Sequence, residues 1–160
     1  MSEENEIKSQ LVEKFGFLNE TTIPRARRLF ADVPLGKFSE VFDYAVKQMK
    51  FSILCTITGL DEGASLGFIY HLARPSGIVL NLHTKAPKEK PVIKTVTGYF
   101  PAADAYEREL ADLLGAKVEG LPEGNRYPLP DDWPAGQYPL RKDWKVEMLD
   151  GKGANENATS

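Results

Sequence analysis

The stretch SLGFIYHLARPSGIVLNLHT, residues 65–84, decides the fold. Its halves, 65–72 and 77–84, are rich in β-branched, aromatic and other apolar residues, and the ARPSG between them brings the proline and glycine that a turn needs. This pattern predicts a β-hairpin. Upstream, SILCTITGL at 52–60 reads as a third strand joined to the hairpin through DEGAS, which makes an antiparallel meander. A turn at 74–77 sets His71 opposite Leu80 and His83 opposite Phe68. Side chains alternate across a strand, so in that register the two imidazoles point to opposite faces and share no metal. A shift of one residue in the turn reverses that conclusion.

Helices flank the meander. In KFSEVFDYAVKQMK the residues Phe38, Val41, Phe42, Ala45, Val46 and Met49 form one apolar stripe at helical spacing. Near the N-terminus Ile7, Leu11, Val12 and Phe15 do the same, and Gly16 suits the position just past a helix end. After the connector KAPKEKP, Pro101 suits the first helical position and Gly115 the terminating one. Between them Tyr106, Leu110, Leu113 and Leu114 form an apolar stripe, while Asp104, Arg108 and Asp112 stack at i, i+4 spacing. Residues 25–33, following Pro24, read as a further strand with Arg25 and Arg27 on one face and Arg28 on the other, a basic edge that discourages pairing. The expected fold is α+β, two-layered, a mostly antiparallel sheet with helices packed on it and an irregular C-terminal arm. The expected organisation is a core at 1–115, the arm at 116–147 as part of the same domain, and an unstructured tail at 148–160.

Composition narrows the chemistry. A chain of 160 residues suits one domain, and a net charge of −3 does not favour a nucleic-acid partner. No apolar run reaches the ~18–20 residues of a membrane-crossing helix, and the acidic MSEENEIK is unlike a signal peptide, so the expected site is the cytoplasm. Cys55 is the sole cysteine, which removes internal disulfides and cysteine-built clusters; its apolar surroundings in the sequence suggest a buried thiol. There is no phosphate-binding glycine loop and no GxSxG elbow. The adjacent acids Asp61–Glu62 and Asp131–Asp132 read as solvated turn residues, and each histidine as structural. No catalytic residue, cofactor site or metal site is assigned. A rival reading places a small-ligand site, or the active site of a stand-alone enzyme, between the sheet and the helix at 102–114, with Tyr106, Glu107 and His71 as polar groups.

PDDWPAGQYPLRKDW, at 130–144, holds both tryptophans on a segment too rich in proline and glycine for regular structure. Irregular backbone must stay wet or be bonded by a neighbour. Each buried aromatic ring covers roughly 150–250 Å², and aromatics with arginine are the residue types enriched at interface cores. Either the arm folds back on its own sheet or a partner lies over it.

A resemblance favours the partner for at least part of the arm. Pro101–Ala102–Ala103, Glu107–Arg108–Glu109 and Asp112–Leu113–Leu114–Gly115, followed by Pro139–Leu140–Arg141–Lys142–Asp143–Trp144, resemble the landmarks of the thirty-kilodalton subunit of respiratory complex I, the C subunit of NADH-quinone oxidoreductase. They are similar too to the equivalent subunit of energy-converting nickel–iron hydrogenases. Element order follows the family over 52–144. Tyr138 stands where the family usually has histidine, Arg126 is what remains of an arginine-rich motif, and DDWP is nearer the hydrogenase branch. The resemblance implies a subunit with no active site and no cofactor of its own, within an NADH dehydrogenase (quinone)-type or hydrogenase-type oxidoreductase. It implies packing against the large hydrogenase-derived subunit and its iron–sulfur neighbours, at the inner face of the cell membrane. The residues expected to face that partner are Glu107, Arg108, Glu109, Arg126, Trp133, Tyr138, Pro139, Leu140, Arg141, Lys142, Asp143 and Trp144.

Overall fold

The computed structural model describes residues 1–150. In chain order its elements are α1 (Glu3–Lys14), β1 (Thr22–Arg25), β2 (Arg28–Asp32), α2 (Phe38–Lys47), β3 (Ile53–Asp61), β4 (Ser65–Ala73), β5 (Val79–Pro87), β6 (Val92–Lys94), α3 (Ala103–Leu114) and β7 (Lys117–Glu119). Short 3-10 turns lie at Gly16–Leu18, Leu35–Lys37 and Val146–Asp150. The last of these takes up the start of the expected tail; the rest of that tail, 151–160, lies outside the described residues.

β3, β4 and β5 form the expected meander, and the five-stranded sheet runs β1-β2-β5-β4-β3. Three of its pairings are antiparallel; β2 and β5 are parallel, because α2 and two further strands separate them in sequence. This is an α+β fold with a mixed, mostly antiparallel open sheet. A second, two-stranded parallel sheet joins β6 to β7. Residues 117–119 are thus a strand, not the start of irregular arm.

The hairpin register differs by one residue from expectation. The Arg74 N–H donates to the Ile78 carbonyl at 3.0 Å, and Gly77, at φ 85°, donates to Arg74 at 2.9 Å. The loop therefore includes Ile78, which is buried in the core, and His71 faces Asn81 while Ile69 faces His83. Both histidines consequently lie on the same face, the one away from the helices.

Two more corrections come from the edges of the sheet. Residues 25–33 are not one strand: Arg27 sits at φ 61° and turns the chain back, with β1 and β2 on either side. Its N–H donates to the Glu4 carboxylate at 2.7 Å, which offsets the roughly 1–2 kcal/mol cost of a left-handed non-glycine residue. Cys55 is exposed, because β3 is an edge strand whose pairing shifts between Leu54 and Thr56. At the helix ends, α3 starts at Ala103 after a turn through Pro101, and Gly16 opens a 3-10 turn instead of a left-handed cap.

One face of the sheet makes the core. Leu66, Phe68, Tyr70 and Leu72 of β4 alternate inward, as do Leu80, Leu82 and Ala86 of β5 and Leu29 and Ala31 of β2. Onto them pack Ile7 and Leu11 of α1, Phe38, Val41, Phe42 and Ala45 of α2, and Ala103, Leu110 and Leu114 of α3. Burying a side chain such as Phe42 or Phe68 fully is worth roughly 1.5–3 kcal/mol. The other face, with Phe30, Ile69, His71, Asn81 and His83, is half-exposed. Among the described residues α1, α2 and α3 lie on one side of the large sheet, no helix covers its other side, and β3 forms one of its two edges.

Candidate functional site

The arm begins where α3 stops. Gly115, at φ 78°, closes the helix with its N–H to Ala111 at 3.0 Å, and the Ala116 N–H reaches Leu110 at 3.3 Å. The carbonyls of Leu113 and Leu114 then receive the arm: the Leu140 N–H donates to Leu113 at 2.9 Å and Arg141 Nε to Leu114 at 2.7 Å. A guanidinium at the negative end of a helix is electrostatically favoured. The same guanidinium lies 4.7 Å from the centre of the Tyr138 ring. That ring packs so closely on Gly115 that a Cβ there would meet it at 2.6 Å. Gly115 is required both for its dihedral and for its lack of a side chain.

Two carboxylates hold the arm by its backbone. Asp112 accepts from Arg126 Nε and from the Leu129 N–H, each at 3.1 Å, and Arg126 also donates to the Trp133 carbonyl at 2.9 Å. Asp61 accepts from Lys88 Nζ at 2.7 Å, from the Lys142 N–H at 2.8 Å and from the Gly63 N–H at 2.9 Å. Lys88 foremost, then the Lys142 amide, hold the Asp61 carboxyl well below the usual carboxylate range despite its burial. Arg108 pairs with both oxygens of Asp104, at 2.6 and 3.1 Å, and donates to the Pro122 carbonyl. Gln137 joins the indoles: Trp133 Nε1 donates to its carbonyl at 2.8 Å and Trp144 Nε1 to its side-chain oxygen at 2.7 Å, with ring centroids 6.1 Å apart.

The polar ends of this segment thus bond inward while its apolar surfaces are covered only in part. No residue from 117 to 150 is buried. Leu140 is 54% exposed, and Trp133, Tyr138, Pro139 and Trp144 are each half-covered. Lys142, Asp143 and Glu109 are exposed, Asp143 lying 3.4 Å from Lys88. Arg108, Arg126 and Arg141 serve as internal braces of the arm, each still partly accessible. Glu107 is elsewhere: it is fully buried, accepting from Thr95 Oγ1 at 2.6 Å and the Val96 N–H at 2.7 Å. Its position, four residues after Ala103 and three before Leu110, places it on the inward stripe of α3.

The polar groups of the rival ligand site do not converge. Tyr106 Oη donates to the Cys55 carbonyl at 3.1 Å, Glu107 points into the core, and His71 is on the far face of the sheet between Thr58 at 2.8 Å and Asn81 at 2.6 Å. His83, on the same face as His71, lies between Asp32 at 2.5 Å and Glu62 at 2.9 Å. Among the described residues no cluster of His, Cys, Asp and Glu has the geometry to hold a metal. Sequence reasoning missed Asp61, Asp112 and Gln137 as the groups that fasten the arm. Asp61 is not the solvated turn residue that its pairing with Glu62 suggests: it ends the apolar strand β3 and is buried, where it needs a partner.

Residues 31–148 match the family model described as respiratory-chain NADH dehydrogenase, 30 Kd subunit. The membrane-bound hydrogenase subunit beta of Pyrococcus furiosus is 40% identical over 100 residues, which cover 58% of this chain and 58% of that one. The match therefore spans little more than half of that relative. The C subunit of the F(420)H(2) dehydrogenase of Methanosarcina mazei is 34% identical over 131 residues, covering 80% of this chain and 82% of the relative. Among solved structures, a chain of the membrane-bound sulfane sulfur reductase, an archaeal respiratory membrane complex, superposes with a TM-score of 0.78 at 28% identity, covering 96% of this chain and 92% of that one. With that match over most of its length, and the strapped arm inside the matched region, the chain belongs to the family of the respiratory-chain NADH dehydrogenase 30-kDa subunit.

Proposed function

We propose that this chain is a non-catalytic subunit of a membrane-associated, multi-subunit redox complex of the complex I and energy-converting hydrogenase kind, and that its arm docks on the large hydrogenase-derived subunit beside iron–sulfur neighbours. The relatives are named as subunits of a membrane-bound hydrogenase and of a dehydrogenase, and the solved neighbour belongs to a respiratory membrane complex. No helix among the described residues is long and apolar enough to cross a membrane, so attachment would run through other subunits, on the cytoplasmic side.

One observation carries the proposal: hydrogen bonds hold the arm in place, yet Leu140 stays exposed and Trp133, Tyr138 and Trp144 are only partly covered. A segment built only to pack on its own domain would bury Trp133, Trp144 and Leu140, since burial supplies most of the free energy. Rigid, half-exposed aromatics are what a partner's surface closes over at low entropic cost.

The test uses the full chain and its large subunit in a pull-down titration. Leu140→Asp and Trp144→Ala should each weaken capture by about thirtyfold or more, the scale of a binding hot spot, while circular dichroism stays unchanged. Full affinity in both variants would remove the arm from the interface.

A further inference from the structure

The two edges of the five-stranded sheet are built differently. β1 is four residues long, contains Pro24, ends on Arg25 and pairs with β2 across a register shift. Short length, proline, charge and irregular pairing are the devices that stop a sheet edge from recruiting another chain. β3 at the opposite edge is nine residues, ILCTITGLD, with no lysine, arginine or proline. Ile53 is 46% and Leu60 38% exposed.

Along an edge strand, alternate N–H and C=O groups turn away from the sheet. Among the described residues, the bond reaching the β3 backbone from outside its sheet is that of Tyr106 to Cys55. Past that point the strand opens onto a groove of about 220 Å³ between β3 and α3, floored by Thr56 to Gly59 and walled by Leu110, Leu113, Leu114 and Leu140. Glu109 stands at its rim, exposed and without an ion pair or hydrogen bond among the described residues. Such a groove offers unpaired backbone groups, apolar sockets and one unmatched negative charge.

We propose that β3 accepts an extended segment of a partner polypeptide as an added strand. Alternate apolar side chains of that segment enter the leucine groove, and a lysine or arginine meets Glu109. The floor is four residues long, so the added strand is about 13 Å, at 3.3–3.4 Å per residue. A second copy of this chain suits the site less well, because its own β3 offers Asp61 as its sole charge and no cation for Glu109.

The inference rests on the chain being a subunit of a larger complex, and its test separates the two readings. The full chain is reassembled with the other subunits of its complex, and amide hydrogen exchange is compared with that of the free chain. The outward amides within 56–60 should exchange at least about tenfold more slowly in the complex, and Glu109→Lys should reduce that protection. A photoreactive benzophenone on the single, exposed Cys55 should cross-link to a partner peptide of alternating apolar residues with a basic one among them. Normal assembly with unprotected 56–60 amides overturns strand addition and leaves the arm-docking proposal standing. A cross-link between two copies of this chain replaces the partner segment with self-association and overturns it as well. Failure to assemble at all overturns both.

Discussion

Glu107 shows how far a residue's role can depart from its surface appearance in sequence. It lies in an ERE triplet that looks solvent-facing, yet it is fully buried and bonds the 95–96 backbone segment to α3. Burial pushes its carboxyl above the ordinary glutamate range, while the Thr95 hydroxyl and Val96 amide pull it partly back. Because the folded state holds this proton to a higher pH than the unfolded chain, folding binds protons between the two values. Stability therefore declines as pH rises through that window, which opens at the ordinary glutamate value and extends upward. Glu107→Gln keeps an acceptor for Val96 and removes the titration, so urea denaturation across pH 4–8 should show a shallower fall in stability than the parent. Glu107→Ala leaves the Val96 amide unpaired and should cost about 1–3 kcal/mol throughout. An unchanged pH slope in the Gln variant would mean that Glu107 does not titrate differently on folding. Its buried place was legible in principle, since the spacing of Ala103, Leu110 and Leu114 includes it. The residue type argued the other way.

At the scale of elements, the long and strongly patterned segments were legible and the short ones were not. The three-strand meander, α2 and the glycine end of α3 follow from periodicity and turn chemistry. The β1–β2 turn was missed because Arg27 takes a left-handed conformation that glycine or asparagine usually signals. β7 is three residues long and exists through its pairing with β6, a long-range partnership with no local pattern. The hairpin register differs by one residue because the apolar, β-branched Ile78 reads as strand but plugs the core from within the loop. That single step moved both histidines to one face. For the site, the arm's sequence position was legible, whereas its fastening by Asp61 and Asp112 depends on contacts across 81 and 17 residues. Where α3 crosses β3 the two elements approach closely: a Cβ on Gly59 would overlap Leu110 and Leu114. Gly59→Val should therefore lever α3 from the sheet and cost about 1–3 kcal/mol, the usual range for overpacking, measured as a lower urea midpoint with unchanged slope. Parent-like stability would show that the leucines have room to move.

For the whole molecule, the distribution of burial predicts what can be removed. The last buried residue in the described chain is Ala116, and the arm beyond Gly120 is held mainly by polar contacts, to Asp61, Lys88, Arg108, Asp112 and the end of α3, with the Tyr138 ring packed on Gly115. We propose that the arm is an appended part of one domain and is not needed for the core to form. A chain ending at Gly120 should then fold with the same sheet and helices. It loses the fastening bonds, each worth about 0.5–1.5 kcal/mol net, so its melting temperature should fall by roughly 2–8 °C per kcal/mol lost. Both tryptophans go with the arm, so circular dichroism must report the transition. In the full chain the same two residues make intrinsic fluorescence a reporter of the arm alone: Asp61→Asn, which weakens the hold on Lys88 and Lys142, should shift emission to the red while leaving the sheet intact. If the shortened chain loses its cooperative transition, the arm is part of the core, and its half-covered aromatics serve stability instead of a partner. If it folds but no longer captures the large subunit, the free energy of folding and that of docking reside in separate parts of one domain.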